Sequence, residues 1–180
     1  MIVPVIKAQV QPSDDAIVLP AECSLPSDDL VGDLFILYAF DLPGHFEYVM
    51  EDDRKTLRLD PGGLRKLSVQ NLTRLRSKPK ILQPSGEAVV LRLDGDLEAS
   101  LLLVDHLWPQ LARGIAGETI VAVPSRDVLA VSGTEIAGGA EALRRAVKHV
   151  WENPATNPKL LLTQSLLVRR GGSWQIFEPT

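Results

Sequence analysis

"DLFILYAFDLPGHFEYVM", residues 33–50, joins a long apolar run, a Pro-Gly pair and a shorter alternating run. The run from Asp33 to Asp41 is too uniformly apolar for a strand with one wet face, which predicts a central strand buried on both faces. Pro43 and Gly44 supply a turn, and the stretch from His45 to Met50 alternates well enough to return as a second strand. Parallel neighbours need a crossover of a dozen or more residues, so this return is antiparallel. The far end repeats the device: "SLLVRR", a Gly-Gly pair at 171 and 172, and "SWQIF" read as a closing hairpin.

Between the two hairpins the pattern changes period. "IVPVIK" at 2–7 and "EAVVLRLDGD" at 87–96 read as strands, and "ETIVAVPSRDVLAVSG" at 118–133 as one strand, or two short ones broken at Pro124. The best-signalled helix starts at Asp60, which can cap free amides, with Pro61 at the first helical position and Pro79 beyond its Lys/Arg-rich end. Leu64, Leu67, Leu72 and Leu75 fall on its buried face. Asn71 lies amid that face, so its amide either ties the helix to a neighbouring backbone or looks into a pocket. A second helix is expected from Asp94 or Asp96, carrying Leu97, Leu101, Val104, Leu107, Trp108 and Leu111 until Pro109 ends or kinks it. A third runs from near Gly139 to Glu152, with Leu143 and Val147 inward and Arg144, Arg145 and Lys148 outward. The expected fold is α+β (mixed α/β): one domain over residues 1–180, with a mixed, mostly antiparallel sheet packed by about three helices. Residues 11–30 are expected as an acidic loop within it.

The composition is that of a globular chain, 45% hydrophobic and 23% charged, which excludes the low-hydrophobicity signature of disorder. A single cysteine, Cys23, excludes an intramolecular disulfide and a clustered thiolate metal site. The opening residues carry no basic leader and no run approaches the roughly 20 apolar residues of a membrane span, which predicts a cytoplasmic protein. The net charge of −4 conceals an asymmetry. Eleven acids and no Lys or Arg stand between Ala8 and Asp53, and nine basic residues against Asp60 alone between Arg54 and Lys80. Such a basic block can face nucleic acid, but it lacks interleaved aromatics to stack bases. The plainer reading is two solvated segments folded against each other.

Candidate chemistry gathers in "GDLEASLLLVDHLWPQL", residues 95–111, and in "VPSRD", residues 123–127. On one helix Glu98 and Asp105 would share a face about 10 Å apart at 1.5 Å per residue, too far to share a proton. In the first turn of that helix Glu98 would be favoured by the helix dipole without any catalytic role. His45, His106 and His149 stand on separate elements without metal-ligand spacing, so no metal site is expected. At a strand end Ser125, Arg126 and Asp127 would sit where open sheets hold ligands, and Arg126 could clamp a carboxylate or phosphate. Ser125 lacks the "GxSxG" context of an activated hydroxyl. "DPGGLRK" opens a helix whose amides could hold an anion, but it fits neither the dinucleotide nor the Walker pattern.

"GDLFILYAFD", "LSVQNL", "GDLEASLLLVDHLW" and "VAVPSRDVLAVSG" together resemble the YtpQ-like family of bacterial proteins, from about Ile2 to Phe177. What the resemblance implies is a small cytoplasmic bacterial protein of α/β type, a family of unknown function with no assigned reaction, cofactor or substrate. It directs attention to Asn71, Asp96, Glu98, Ser125, Arg126 and Asp127. The resulting expectation is a non-enzymatic binding or regulatory module for a protein partner or small anionic ligand, with Ser125, Arg126 and Asn71 as ligand contacts and no cofactor. The alternatives are a hydrolase or transferase acting on a phosphate- or carboxylate-bearing substrate through Glu98 and Asp127 beside Arg126, and nucleic-acid binding through residues 54–80. A homo-oligomer is compatible with all three.

Overall fold

The computed structural model describes residues 1–9, 24–75, 79–93, 95–153 and 155–178. The strands of these residues form two sheets whose ladders all run antiparallel. The first holds β1 (Ile2–Ala8), β2 (Ser27–Val31), β3 (Leu34–Leu42) and β4 (His45–Tyr48). The apolar run 33–41 is its central strand, with β1 along one side of β3 and β2 and β4 along the other. The second holds β5 (Lys80–Ser85), β6 (Ala88–Arg92), β7 (Thr119–Ser125), β8 (Val128–Gly133), β9 (Leu166–Arg170) and β10 (Ser173–Ile176). Its order is β10-β9-β7-β8-β6-β5. The helices are α1 (Glu51–Thr56), α2 (Pro61–Leu75), α3 (Trp108–Ala112) and α4 (Gly139–Glu152).

Period-two alternation sorts the strands into layers. In β7, Ile120 and Ala122 face Leu143 and Val147 of α4, while Val121 and Val123 join a core shared with the first sheet; Val168 and Leu167 of β9 divide the same way. In the first sheet Ile36 and Tyr38 pack with Leu64 of α2, and Val3, Val5 and Ala39 enter the shared core. The order is therefore α2, first sheet, second sheet, α4, with Leu97, Leu101, Leu102 and Trp108 filling the space between the sheets. Each such fully buried side chain contributes roughly 1.5–3 kcal/mol. Among the described residues no helix is long and apolar enough to cross a membrane.

Residues 95–111 do not form the expected amphipathic helix, and Asp94, the other expected start, lies outside the described residues. Ala99–Leu103 is a 3-10 helix in which all five residues are buried, and α3 starts only at Trp108, with Pro109 inside its first turn. Residues 97–104 are buried throughout, so the apolar residues there at three- and four-residue spacing are the visible part of a stretch buried all round, whereas Asp105 and His106 are exposed. Pro124 does not break the strand; it lies buried inside β7, and the chain reverses at Arg126 and Asp127. The expected loop 11–30 ends in β2 from Ser27, and its residues 11–23 lie outside the described residues. α1 and β5 went unread in the sequence. α1 spans the change from acidic to basic, with Glu51, Asp52 and Asp53 in its first turn and Arg54 and Lys55 in its last, the order its dipole favours.

Candidate functional site

Glu98 does not sit on an exposed first turn: it is 0% exposed. After β6 the chain bends through Gly95, whose φ of 94° suits glycine, and this loop aims the Leu93 and Gly95 amides at Glu98 Oε1, at 3.1 and 2.8 Å. Oε2 is buried and has no partner among the described residues. Ser100, also buried, donates to the Pro4 carbonyl at 2.8 Å and ties this segment to β1.

"PSRD" packs against the same loop. The Ala99 amide donates to the Arg126 carbonyl at 3.0 Å, and the Arg126 amide donates to the Leu160 carbonyl at 2.9 Å. Its guanidinium lies 5.3 Å from the Phe46 ring centre and donates to Asp96 at 2.8 Å. Ser125 Oγ, buried, donates to Asp127 Oδ1 at 2.6 Å across the reversal. The fold thus brings "GDLE" and "PSRD" together, 30 residues apart in sequence. Among the described residues no hydrogen bond or ion pair joins Glu98 to Arg126 or Asp127. Asn71 stands away from this junction, donating from Nδ2 to the Ile2 carbonyl at 2.9 Å and holding α2 on β1. A cleft of about 370 Å³ opens beside Arg126 and is lined also by Asp41, Asp96 and His45. Among the described residues no group of three or more His, Cys, Asp or Glu is placed to hold a metal ion.

A second cleft, of about 430 Å³, lies between α2 and the β9–β10 hairpin. Gly62, Arg65, Lys66 and Val69 recur at three- and four-residue spacing and line one wall, while Leu64, Ser68 and Leu72 turn into the protein. The Gly63 amide at the start of α2 is taken by Asp60. The opposite wall is built on two tryptophans. Trp108 Nε1 donates to the Leu101 carbonyl at 3.1 Å, Trp174 Nε1 to the Leu102 carbonyl at 2.9 Å, and the indoles meet edge to face at 4.7 Å. The Arg169 guanidinium lies 5.3 Å from the Trp174 ring centre and 6.0 Å from that of Trp108, and donates to Asp105 at 2.8 Å. Its side chain is only 14% exposed, whereas that of Asp105 is 83% exposed. Three cations therefore line this cleft against one carboxylate, and among the described residues Arg65 and Lys66 make no ion pair.

Sequence reasoning missed Arg169, which reads there as one charged residue of a strand end. Its ion-pair partner Asp105 stands 64 residues away, and no local spacing announces it. The basic block is also split by the fold: Arg54 and Lys55 pair with Glu51 and Asp52 within α1, Arg65 and Lys66 face the cleft, and Arg76 and Lys78 lie outside the described residues.

No family model matches the chain, and no solved structure matches it. It is distantly similar to proteins named UPF0354 from Listeria monocytogenes. It is 27% identical over 142 residues to one from serotype 4b (strain CLIP80459) and 28% identical over 142 residues to one from serovar 1/2a (strain ATCC BAA-679 / EGD-e). Each alignment takes in 76% of this chain and 53% of the relative, so the chain spans about half the length of the relatives it matches. Their names state no activity.

Proposed function

We propose that this chain, whose motif set resembles the YtpQ-like family, is a binding module for a small anionic ligand held between α2 and the β9–β10 hairpin. The observation that carries the reading is the Arg169 guanidinium, held against two indoles and Asp105 and flanked across the cleft by Arg65 and Lys66, which make no ion pair among the described residues. A guanidinium held in one orientation has already lost the freedom that binding would otherwise cost it, and its donors match a carboxylate or phosphate. Arg65 and Lys66 add attraction that salt screens. The Arg126 cleft suits an anion less well, since its cation stands among Asp41 and Asp96.

Binding is preferred to hydrolysis or group transfer because, among the described residues, no hydrogen bond or ion pair joins Glu98 to Arg126 or Asp127, and Glu98 Oε1, the Arg126 guanidinium and Asp127 Oδ1 already take partners in the fold. The reading is tested by thermal unfolding of the full chain at low ionic strength with inorganic phosphate and with citrate. A ligand that binds only the folded state must raise the midpoint as its concentration rises. The expected result is a rise that Arg169→Ala removes and Arg126→Ala does not. No rise with either anion in the millimolar range overturns the reading.

A further inference from the structure

We infer that the ligand of the α2–hairpin cleft is a hydroxylated anion, a phosphate or carboxylate carried on a chain or ring of several hydroxyls. The inference rests on the anion-binding reading above and adds the chemistry of the rest of the ligand. The residues exposed at the cleft are Gly62, Lys66, Asp105, Gly172 and Ser173, while Leu102, Leu103 and Trp174 are buried. A ligand there meets hydrogen-bonding side chains and open backbone. A phosphate-sized group displaces on the order of two or three waters of about 30 Å³ each. Most of a cleft of about 430 Å³ is left for the rest of the ligand.

Asp105 decides what that remainder carries. Its Oδ1 takes the Arg169 guanidinium at 2.8 Å, and among the described residues its Oδ2 takes no donor. The side chain is 83% exposed, so a ligand can reach it. An ionised carboxylate only accepts hydrogen bonds, and it repels a bare oxyanion. A hydroxyl donates to it without adding charge. An ammonium also donates, but it would bring a further cation to a cleft where three cations already face one carboxylate. Ser173 Oγ, exposed on the hairpin wall, both donates and accepts, which again suits a hydroxyl. At Gly172 an added Cβ would meet nothing within 4 Å, so that wall leaves room for a chain or ring. With Trp174 buried, a nucleobase finds no indole face there to stack on. The head therefore lies toward Arg65, Lys66 and Arg169, and the hydroxyls toward Asp105 Oδ2 and Ser173 Oγ.

The test is calorimetric titration of the full chain, at one pH and one ionic strength, with sorbitol 6-phosphate, hexyl phosphate, phosphoethanolamine, inorganic phosphate and sorbitol. Sorbitol 6-phosphate and hexyl phosphate carry the same head on chains of equal length and differ in their hydroxyls. The expected result is one sorbitol 6-phosphate per chain, bound at least tenfold more tightly than hexyl phosphate, with no detectable sorbitol binding. Asp105→Ala should weaken sorbitol 6-phosphate at least fivefold and leave hexyl phosphate unchanged or tighter, a split that a loss of folding would not produce. Ser173→Ala should weaken sorbitol 6-phosphate by about two- to fivefold and spare hexyl phosphate. The comparison of ligands on the unaltered chain stands without either variant. Hexyl phosphate bound as tightly as sorbitol 6-phosphate overturns the hydroxylated ligand and leaves the anion reading intact. Phosphoethanolamine bound more tightly than sorbitol 6-phosphate gives Asp105 an ammonium and has the same consequence. An Asp105→Ala chain that keeps the full preference for sorbitol 6-phosphate overturns the placement of the hydroxyls. Sorbitol bound as tightly as its phosphate, or no binding of any of the five, overturns both readings.

Discussion

The junction of "GDLE" with "PSRD" and the cleft between α2 and the β9–β10 hairpin hold similar residues, each with arginine beside aromatic rings and nearby acid. At the junction the charges turn inward: Glu98 takes two loop amides, Arg126 takes Asp96, and Asp127 takes Ser125. At the cleft one arginine is fixed and two further cations face it without an ion pair among the described residues. At the junction the spare capacity, on Glu98 Oε2 and Arg126 Nε, is buried, whereas at the cleft Lys66 is exposed. The difference teaches that a cluster of reactive residue types can serve as a site where its spare bonding capacity lies within reach of a ligand.

The largest effect should come from Glu98→Ala, which leaves the Leu93 and Gly95 amides without their acceptor and opens a cavity in a fully buried place. We expect a loss of about 2–4 kcal/mol, read as a lower urea midpoint. Glu98→Gln keeps one acceptor oxygen and should cost less. An Ala variant as stable as the parent would break the comparison at its closed end.

Arg169→Ala should cost about 1–2 kcal/mol, because the guanidinium also covers two indoles. It should lower phosphate affinity at least tenfold, and Arg169→Lys should not restore it, since an ammonium lacks the planar fork. Arg126→Ala should lose about 1 kcal/mol through its Asp96 and Phe46 contacts, with phosphate affinity within about twofold of the parent. Equal affinity losses in these two variants would erase the distinction between the regions. Lys66→Ala should leave stability within about 0.5 kcal/mol and flatten the salt dependence of anion binding, as expected of an exposed charge.

The smallest effect is spectroscopic. Burial, and then the hydrogen bond to Asp28, push the Tyr38 phenol well above its ordinary value, while Arg65 pulls it down. A raised folded value means that the unfolded chain loses the proton first. The contribution to stability is therefore fully present below about pH 10 and is lost as pH rises from there through the folded value. The difference in phenolate absorbance between the parent and Tyr38→Phe should appear late in an alkaline titration, and Arg65→Ala should delay it further. An undelayed phenolate would place Tyr38 in a wetter setting than its burial between the first sheet and α2 requires.

Where the signal was local, the sequence was readable. Asp60 and Pro61 start α2, the apolar stripe of α4 faces the second sheet, and the hairpins at His45 and Ser173 form as the turn residues predict. Asn71 stood out as a polar residue on an apolar face, and its partner proves to be the Ile2 carbonyl. The 97–104 stretch misled because three- and four-residue spacing looks the same in an amphipathic helix and in a segment enclosed on every side.

By itself the sequence determined the α+β class, the antiparallel hairpins, two long helices and the residue types from which a site is made, because capping, turn geometry and periodicity act over a few neighbours. Only the tertiary structure decided that the strands divide between two sheets, that Glu98 is sealed inside, and that Arg169 meets Asp105 and two tryptophans opposite Arg65 and Lys66. Those outcomes depend on which distant groups compete for the same buried volume and the same hydrogen bonds, a competition settled when the layers close.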